Sequence, residues 1–342
     1  MKKGGMIGIG VSIFFACTLI GCSYMEQNMK IEKSPDYVFT YAENQAEEYP
    51  STKAAYLFSD LVFEQSEGRI KINVYAGGVL GDEISIIDQL QYGGVDFARV
   101  SIMTMGEFVP KMNILQLPYL YEDMEHKWNV LNGEIGQEFM DCLVEYDLIS
   151  LSWYDAGTRN FYTSQKIVTL EDLRGKRLRV AKSAFMEMVV SSLGAIPVRM
   201  DYSDIYSALE QGKIDGAENN WPSYEATEHY KVARYMLENG HNQIPELQLA
   251  SRVTWNKLSE EDKILIRECA MVSSEYEQEL WKAYEKESRD RAEAAGVETV
   301  ELSDEELARF REAVQPVYEE FGAEYVELIE RIIEVGKNTI GE

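Results

Sequence analysis

Hydrophobic and polar positions follow alternating strand-like and helix-like spacings from residue 37 onward. An alternating, β-rich segment at 37–42 precedes a helical pattern at 51–66, and a second strand at 70–75 precedes a helical pattern at 83–91. A third strand follows at 96–100. This order of strands and helices predicts a parallel α/β sheet, with loops at the strand ends where ligands collect.

The same alternation begins again after a helical stretch at 122–146 and a strand at 148–154. The second series has strands and helices at 176–180, 185–193, 196–200, 202–211 and 214–218. Two successive α/β modules predict two lobes with a hinge at 153–158. We expect lobe I at 37–153, lobe II at 154–242, and lobe-crossing segments with C-terminal helices at 243–342.

A long acidic helical segment at 259–295 distinguishes the last part of the chain. Its apolar residues recur at helical spacing with charges between them: Leu265, Cys269, Val272, Tyr276 and Leu280. Because the segment is longer than a typical globular helix, we expect it to brace both lobes. A short strand at 297–301 and a capped helix that begins at Ser303 follow it.

The first 22 residues have the pattern of a secretory signal, with Lys2 and Lys3 before an apolar run over 6–20. That run is too short to cross a bilayer comfortably. The sequence Leu-Ile-Gly-Cys that ends at Cys22 resembles the bacterial lipobox, which predicts a lipid on Cys22. The alternative is ordinary signal cleavage with an incidental cysteine. Residues 23–36 are polar and weakly patterned, which suits a tether to the folded body.

The formal net charge of −26 argues against nucleic acid or an anionic membrane surface as a partner through a basic face. Usual signs of an enzyme are missing from the sequence, including a phosphate-binding glycine loop and a nucleophile elbow. The three histidines lack metal-ligand spacing, so we expect neither a metal nor a cofactor. Cys142 and Cys269 read as buried free thiols, with a single disulfide as the alternative.

Two arginines in the second module are candidates for binding an anion. Arg179 lies in the alternating strand Arg177-Leu-Arg, which directs both arginines to one face, and Arg159 follows the predicted hinge. A guanidinium matches a carboxylate bidentately and stays charged at any relevant pH. For either residue alone, a solvated arginine on an edge strand is the alternative.

Amides and an aromatic ring end the strand at 214–218. Asn219 and Asn220 both donate and accept hydrogen bonds, which suits hydroxyl groups, and Trp221 offers an apolar plane to a sugar or short carbon chain. The alternative is a capped helix start, with Pro222 in the first turn.

Several ordered motifs together resemble the solute receptors of tripartite ATP-independent periplasmic (TRAP) transporters. They are Leu-Gly-Asp-Glu at 80–83, Leu-Pro-Tyr-Leu-Tyr at 117–121, Phe-Tyr-Thr at 161–163, Leu-Glu-Asp-Leu-Arg-Gly-Lys-Arg-Leu-Arg-Val at 170–180, Leu-Gly-Ala-Ile-Pro-Val at 193–198, Ile-Tyr-Ser-Ala-Leu-Glu-Gln-Gly at 205–212 and Ile-Asp-Gly at 214–216. The resemblance covers residues 37–335. It implies an α/β fold of the type II periplasmic-binding-protein kind, whose two lobes close on a ligand and share a long helix.

The resemblance also implies roles for individual residues. Arg179 matches the family's main carboxylate anchor, Arg159 a second donor, and Asn219 an orienting amide. The loop after the first strand supplies further contacts in such receptors, which indicates Glu43, Asn44 and Gln45. Ser101 occupies a similar strand-end position in the first lobe.

The substrate expected from the resemblance is a hexuronate such as D-glucuronate or D-galacturonate. The candidates for sugar hydroxyls are Glu43, Asn44, Asn220 and His241, with Trp221 against the sugar face. For His241, a plain surface position is the alternative. A C4-dicarboxylate needs a second cation, for which Arg99 beside Ser101 stays open. An aldonate or a keto acid is a further candidate ligand. The competing functions are a uronate-processing enzyme with Glu43 as base and an adhesion or structural surface protein.

The family also implies membrane transporter subunits as partners. We expect a monomer that is not an enzyme, outside the cell and anchored to the outer face of the cytoplasmic membrane, or in the periplasm.

Overall fold

The computed structural model describes residues 34–339. The secretory signal at 1–22, the proposed lipid attachment at Cys22 and all but the end of the tether at 23–36 lie outside these residues. Within the described part, nine strands form one sheet: β1 Tyr37–Ala42, β2 Ile70–Tyr75, β3 Phe97–Ser101, β4 Leu148–Thr163, β5 Arg177–Val180, β6 Ile196–Arg199, β7 Gly216–Asn219, β8 Tyr235–Ser251 and β9 Glu298–Glu301.

The sheet is mixed: the parallel arrangement that the sequence predicts holds within each half, and antiparallel strands, which it did not predict, join the halves. Its order is β2-β1-β3-β8-β4-β7-β5-β6, and β9 pairs with β8. The strands β1, β2 and β3 are parallel in one half, and β5, β6 and β7 are parallel in the other. The long strands β4 and β8 join the halves and pair antiparallel with each other. On the outer sides, β8 pairs antiparallel with β3, and β4 pairs antiparallel with β7.

Thirteen α-helices surround this sheet in the described residues. They are α1 Pro50–Gln65, α2 Glu83–Tyr92, α3 Ile102–Phe108, α4 Met124–Leu131, α5 Glu134–Cys142, α6 Ala184–Ser192, α7 Ile205–Glu210, α8 Trp221–Ala226, α9 Arg252–Trp255, α10 Glu260–Ala294, α11 Asp304–Ala313, α12 Gln315–Phe321 and α13 Val326–Thr339. Short 3₁₀ segments lie at Pro110–Gln116, Leu143–Tyr146, Leu170–Leu173, Tyr202–Asp204, His229–Lys231 and Ala323–Tyr325. None of the helices in this region is long and apolar enough to cross a membrane.

The helix α10 packs against both halves of the sheet, as the sequence predicted. Near its start, Ile266 and Cys269 join a buried cluster with Phe58 of α1. Near its end, Ala292 joins a separate buried cluster with Tyr224 of α8. Both described cysteines have free thiols, that of Cys269 buried in this core and that of Cys142 half-buried. The fold is therefore two-lobed, with one helix bracing both lobes.

The middle of β4 holds a buried polar cluster where the sequence predicts the hinge. The pairing of β4 with β8 is irregular between Asp155 and Thr158, and Gly157 there has a φ of 62°. Lys127 of α4 donates to Asp155 at 2.7 Å, and the Asp155 amide donates to Glu277 of α10 at 2.8 Å. All three side chains are buried. The hinge and the lobe limits at 37–153, 154–242 and 243–342 stay predictions.

Candidate functional site

A cavity of about 160 Å³ lies between the two halves of the sheet. Both halves contribute its lining residues, which are Asn44, Gln45, Tyr49, Glu83, Arg99, Ser101, Met103, Thr104, Ala156, Arg159, Arg179, Ala181, Tyr202, Asn219, Asn220, Ser223, Ile244 and Glu246.

Strand direction explains why these residues meet. Asn44 follows the end of β1, Ser101 ends β3, Ala181 follows β5 and Asn219 ends β7. Each of these strands is parallel to its neighbours within its own half. The carboxyl ends of parallel strands open into a common crevice, which is the usual position of a ligand in open α/β sheets.

Arg179 brings a buried positive charge to the cavity, and no carboxylate of the described residues pairs with it. Its side chain is 6% exposed, and its Nε donates to the backbone carbonyl of Met200 at 3.0 Å. Within residues 34–339, no ion pair engages its two terminal nitrogens. Burial lowers the pKa of Arg179; the charge of Glu218 opposes this effect in part, and the nearby charge of Arg159 adds to it. Such a site favours an incoming anion.

Arg177, two residues earlier on the same strand, has a different environment. Its guanidinium pairs with Asp215 at 2.8 Å, and its side chain is 42% exposed. Because side chains alternate along β5, Arg177 and Arg179 project from the same face of the strand. Of the two, only Arg179 lines the cavity.

Arg159 is held by Glu218 and Asn219 of β7. Its Nε donates to Glu218 Oε2 at 2.5 Å, and one terminal nitrogen donates to Asn219 Oδ1 at 2.9 Å. Burial by itself raises the pKa of Glu218, but the charge of Arg159, the neighbouring His241, whose Nε2 lies 3.6 Å from Glu218 Oε2, and the hydrogen bond from Arg159 lower it to about 2. Glu218 is therefore ionised at neutral pH, and Arg159 is neutralised. Asn219 has its oxygen fixed by this contact.

Asn220 caps α8 and also lines the cavity. Its side-chain oxygen accepts from the Ser223 amide at 2.8 Å, and its Nδ2 donates to the Ala156 carbonyl at 2.9 Å. The capped helix start that the sequence offered as an alternative is thus present. These two contacts use both ends of the Asn220 amide.

Arg99 is surrounded by three acidic residues on the opposite side of the cavity. It donates to both carboxylate oxygens of Glu43, to Glu83 at 2.8 Å and to Glu246 at 3.1 Å. Its side chain is 1% exposed. Glu83 also accepts from Asn44 Nδ2 at 2.9 Å and from the Thr104 hydroxyl at 2.6 Å. We call Arg99, Glu43, Glu83 and Glu246 the acidic wall.

Glu246 has an unusual protonation behaviour within the acidic wall. Burial raises its pKa to about 8, an effect that Arg99 opposes and that Glu83 and Glu43 increase. Glu246 therefore carries a proton at neutral pH. Its side chain keeps 10% exposure, and that of Glu83 keeps 14%, whereas Glu43 is fully buried.

Three of the residues singled out from the sequence do not line the cavity. Trp221 is buried below Arg289 of α10, and its indole nitrogen donates to Glu238 at 3.3 Å. His241 is fully buried and stacks on Phe161 with ring centroids 4.4 Å apart. Burial lowers the pKa of His241. Glu43 lies behind Arg99, while Asn44, Gln45 and Ser101 do line the cavity.

Sequence reasoning missed several lining residues, chiefly Glu83, Thr104, Tyr202 and Glu246. Glu83 begins α2 directly after its N-cap Asp82, where an acidic residue is ordinary and reveals no ligand role. Glu246 belongs to β8, a strand that the sequence analysis did not predict. No group of three or more His, Cys, Asp or Glu residues suited to a metal occurs among residues 34–339.

Comparison with protein families matches residues 41–324 to the bacterial extracellular solute-binding proteins, family 7. The chain belongs to this family. A curated relative from Chromohalobacter salexigens, named a solute-binding protein, is 36% identical over 281 residues, covering 82% of this chain and 83% of the relative. Members of the family are TRAP solute-binding proteins, which act outside the cytoplasm as non-enzymatic transport receptors.

Two solved TRAP periplasmic solute-binding proteins resemble the chain in sequence and in fold. That from Xanthobacter autotrophicus Py2, with bound β-D-galacturonate, has a TM-score of 0.83 and 35% identity, covering 86% of this chain and 99% of its own. That from Pseudomonas putida F1, with bound D-glucuronate, has the same TM-score of 0.83 and identity of 35%, covering 86% of this chain and 96% of its own. The TRAP receptor fold predicted from the motifs is confirmed.

Proposed function

We propose that this TRAP receptor binds a hexuronate, D-glucuronate or D-galacturonate, and delivers it to membrane transporter subunits. The observation that carries the proposal is Arg179, a residue that is 6% exposed, lines the cavity and has no carboxylate partner in the described chain. A ligand carboxylate supplies the missing negative charge with two charge-assisted hydrogen bonds. The hexuronates bound to two similar receptors support the same class of ligand.

Asn219 is proposed to orient that carboxylate beside Arg179. Because its oxygen already accepts from Arg159 at 2.9 Å, its amide nitrogen is the atom left to donate to a ligand. Arg159 acts mainly through Asn219, since its own charge is balanced by Glu218. Trp221 and His241 are proposed to support this side of the site from behind, without touching the sugar.

The rest of the cavity suits hydroxyl groups. Asn44, Gln45, Ser101 and Thr104 line it with amides and hydroxyls, and Glu83 and Glu246 add carboxyl oxygens. Sugar hydroxyls both donate and accept, so they match such a mixed lining. Arg99 is an unsuitable second anchor for a dicarboxylate, because its guanidinium already donates to three acidic side chains.

We further propose that lobe closure buries the ligand, and that the receptor is a monomer anchored to the membrane by a lipid on Cys22. The lipobox-like sequence that ends at Cys22 supports the anchor. Anchoring keeps the receptor close to the transporter subunits. Metabolic labelling with a fatty-acid analogue in a bacterial host tests it: label is expected on the wild-type protein and absent from Cys22→Ala, and an unlabelled wild-type protein contradicts it.

Thermal unfolding with a panel of acids tests the ligand assignment. The protein is the chain from Ser23 onward, which contains every residue that the structure describes. A ligand that binds only the folded state raises the unfolding temperature by mass action. We expect a rise with D-glucuronate or D-galacturonate and none with succinate or pyruvate. A rise with another acid alone keeps the receptor and refutes the hexuronate; no rise with any acid refutes carboxylate capture.

A further inference from the structure

The acidic wall differs from the Arg179 side of the cavity in its charge balance. It has one guanidinium against three carboxyl groups, and each of the three guanidinium nitrogens of Arg99 donates to at least one of them. Even when Glu246 holds a proton, the two negative charges of Glu43 and Glu83 exceed the single positive charge of Arg99. The wall therefore carries net negative charge while the opposite side carries the unpaired charge of Arg179.

Three members of the wall line the cavity: Glu83, Glu246 and Arg99. The side chains of Glu83 and Glu246 are 14% and 10% exposed, whereas that of Arg99 is only 1% exposed. A ligand group at this wall meets carboxyl oxygens before it meets the guanidinium. A hydroxyl can donate to those oxygens, but a second carboxylate has no hydrogen to donate and has the same charge sign.

We propose that the acidic wall is a charge filter that makes the receptor accept acids with one charged end and reject acids with two. This inference rests on the proposed function, since it assumes that the ligand carboxylate sits at Arg179. It names the ligand class more narrowly: hexuronates and their reduced, single-carboxylate forms bind, while aldarates and C4-dicarboxylates do not. Like-charge contacts at a buried polar site are an effective means of excluding the wrong ligand.

The raised pKa of Glu246 agrees with this reading. A protonated Glu246 has an O–H that can donate to a sugar oxygen, and Glu83 can accept from a neighbouring hydroxyl. The wall thus offers a donor and an acceptor to neutral groups at neutral pH.

Two acids can be compared to measure the effect of a charge at the end of the ligand opposite the carboxylate that binds Arg179. L-Gulonate and D-glucarate are both open-chain, have the same configuration at their four hydroxyl carbons, and differ in one end group, which is CH₂OH in the first and a carboxylate in the second. Titration calorimetry of the chain from Ser23 onward with both acids, and with D-glucuronate in parallel, measures the filter directly.

For the wild-type protein we expect L-gulonate to bind on the order of 100-fold or more tightly than D-glucarate, as expected for a like-charge contact of several kcal/mol. In Glu83→Gln, which removes one negative charge and keeps the shape, the ratio of the two dissociation constants is expected to fall at least about tenfold. Glu246→Gln serves as the second variant if Glu83→Gln fails to fold. For Glu246→Gln, the ratio of the two dissociation constants should fall furthest below the wild-type ratio at a pH above about 8, where wild-type Glu246 is ionised.

Equal binding of both acids by the wild-type protein overturns the filter, as does an unchanged ratio in both variants. Should the wild-type protein bind neither open-chain acid, gain of D-glucarate binding in either variant supports the filter and its absence from both overturns it. Failure of D-glucuronate to bind refutes the proposed function, whereas D-glucuronate binding with no discrimination against D-glucarate refutes only the filter.

Discussion

Replacing Arg179 with alanine removes the charge that the proposed ligand carboxylate meets. The two terminal nitrogens of Arg179 have no carboxylate partner in the described chain, so both are available to the ligand. A hydrogen bond to a charged group contributes about 1.5–3 kcal/mol. Two such bonds give about 3–6 kcal/mol, which corresponds to a loss of affinity of about 100-fold to 10,000-fold.

The stability of the unliganded variant should respond differently. Burial disfavours the charged form of Arg179 and lowers its pKa, so the empty site gains nothing from the charge itself. The variant loses one hydrogen bond, from Nε to the Met200 carbonyl, which contributes about 0.5–1.5 kcal/mol. We therefore expect a large loss of D-glucuronate affinity with a small change in the free energy of unfolding.

The assay is titration calorimetry with D-glucuronate, together with chemical unfolding of the empty protein. Arg177→Ala is the matched control, because Arg177 lies on the same strand and face but pairs with Asp215 outside the cavity. Its affinity should match that of the wild-type protein. The reasoning is refuted if Arg179→Ala binds D-glucuronate within about fivefold of wild type, or if the control loses as much affinity.

Three further predictions concern pH, the hinge and the backbone. Because the pKa of Glu246 is raised from 4.5 to about 8, the folded state holds an extra proton between these values, and stability falls as pH rises. From pH 5.5 to 7.5 the wild-type protein should lose about 2–3 kcal/mol more than Glu246→Gln in chemical unfolding. Lys127→Met should cost about 3–5 kcal/mol in the same assay, since it leaves Asp155 buried without its cation. Gly157→Ala should lower the unfolding temperature, because its Cβ would lie 2.6 Å from the indole nitrogen of Trp281.

Controls for these predictions are present in the same chain. Lys286→Met breaks an exposed pair with Asp290 and should change the free energy of unfolding little. Gly175→Ala has a comparable φ of 72° but no atom within 4 Å of the new Cβ, so it should cost less than Gly157→Ala. Parallel pH profiles for wild type and Glu246→Gln would contradict the first prediction. Equal losses of stability in Lys127→Met and Lys286→Met would contradict the second prediction. Equal losses in Gly157→Ala and Gly175→Ala would contradict the third.

Local patterns were sufficient to predict most of the fold. The alternation at 37–42 became β1 with the same limits, and the helical run at 259–295 became α10 at Glu260–Ala294. The strand β8 was missed because Tyr235–Ser251 lacks clean alternation and contains Gly240 and Pro245. Both residues usually interrupt a central strand. Because β8 was missed, the antiparallel centre of the sheet was not predicted, although the parallel pairing within each half was.

The site likewise contains residues that local sequence patterns indicate and residues that only long-range contacts bring together. Arg179 could be singled out because strand alternation and a family motif both indicate it. The acidic wall could not, since it depends on contacts between distant positions: Arg99 lies 56 positions from Glu43 and 147 from Glu246. One sequence gives no sign of such pairings. The burial of His241 behind Phe161 is likewise a consequence of packing between strands rather than of local pattern.

A crystal structure of the protein grown with D-glucuronate tests the central claim most directly. We expect the ligand carboxylate on the two terminal nitrogens of Arg179, with the Asn219 amide beside it and the sugar hydroxyls toward Glu83 and Glu246. A carboxylate that contacts Arg99 instead, or a ligand bound outside this cavity, would contradict it.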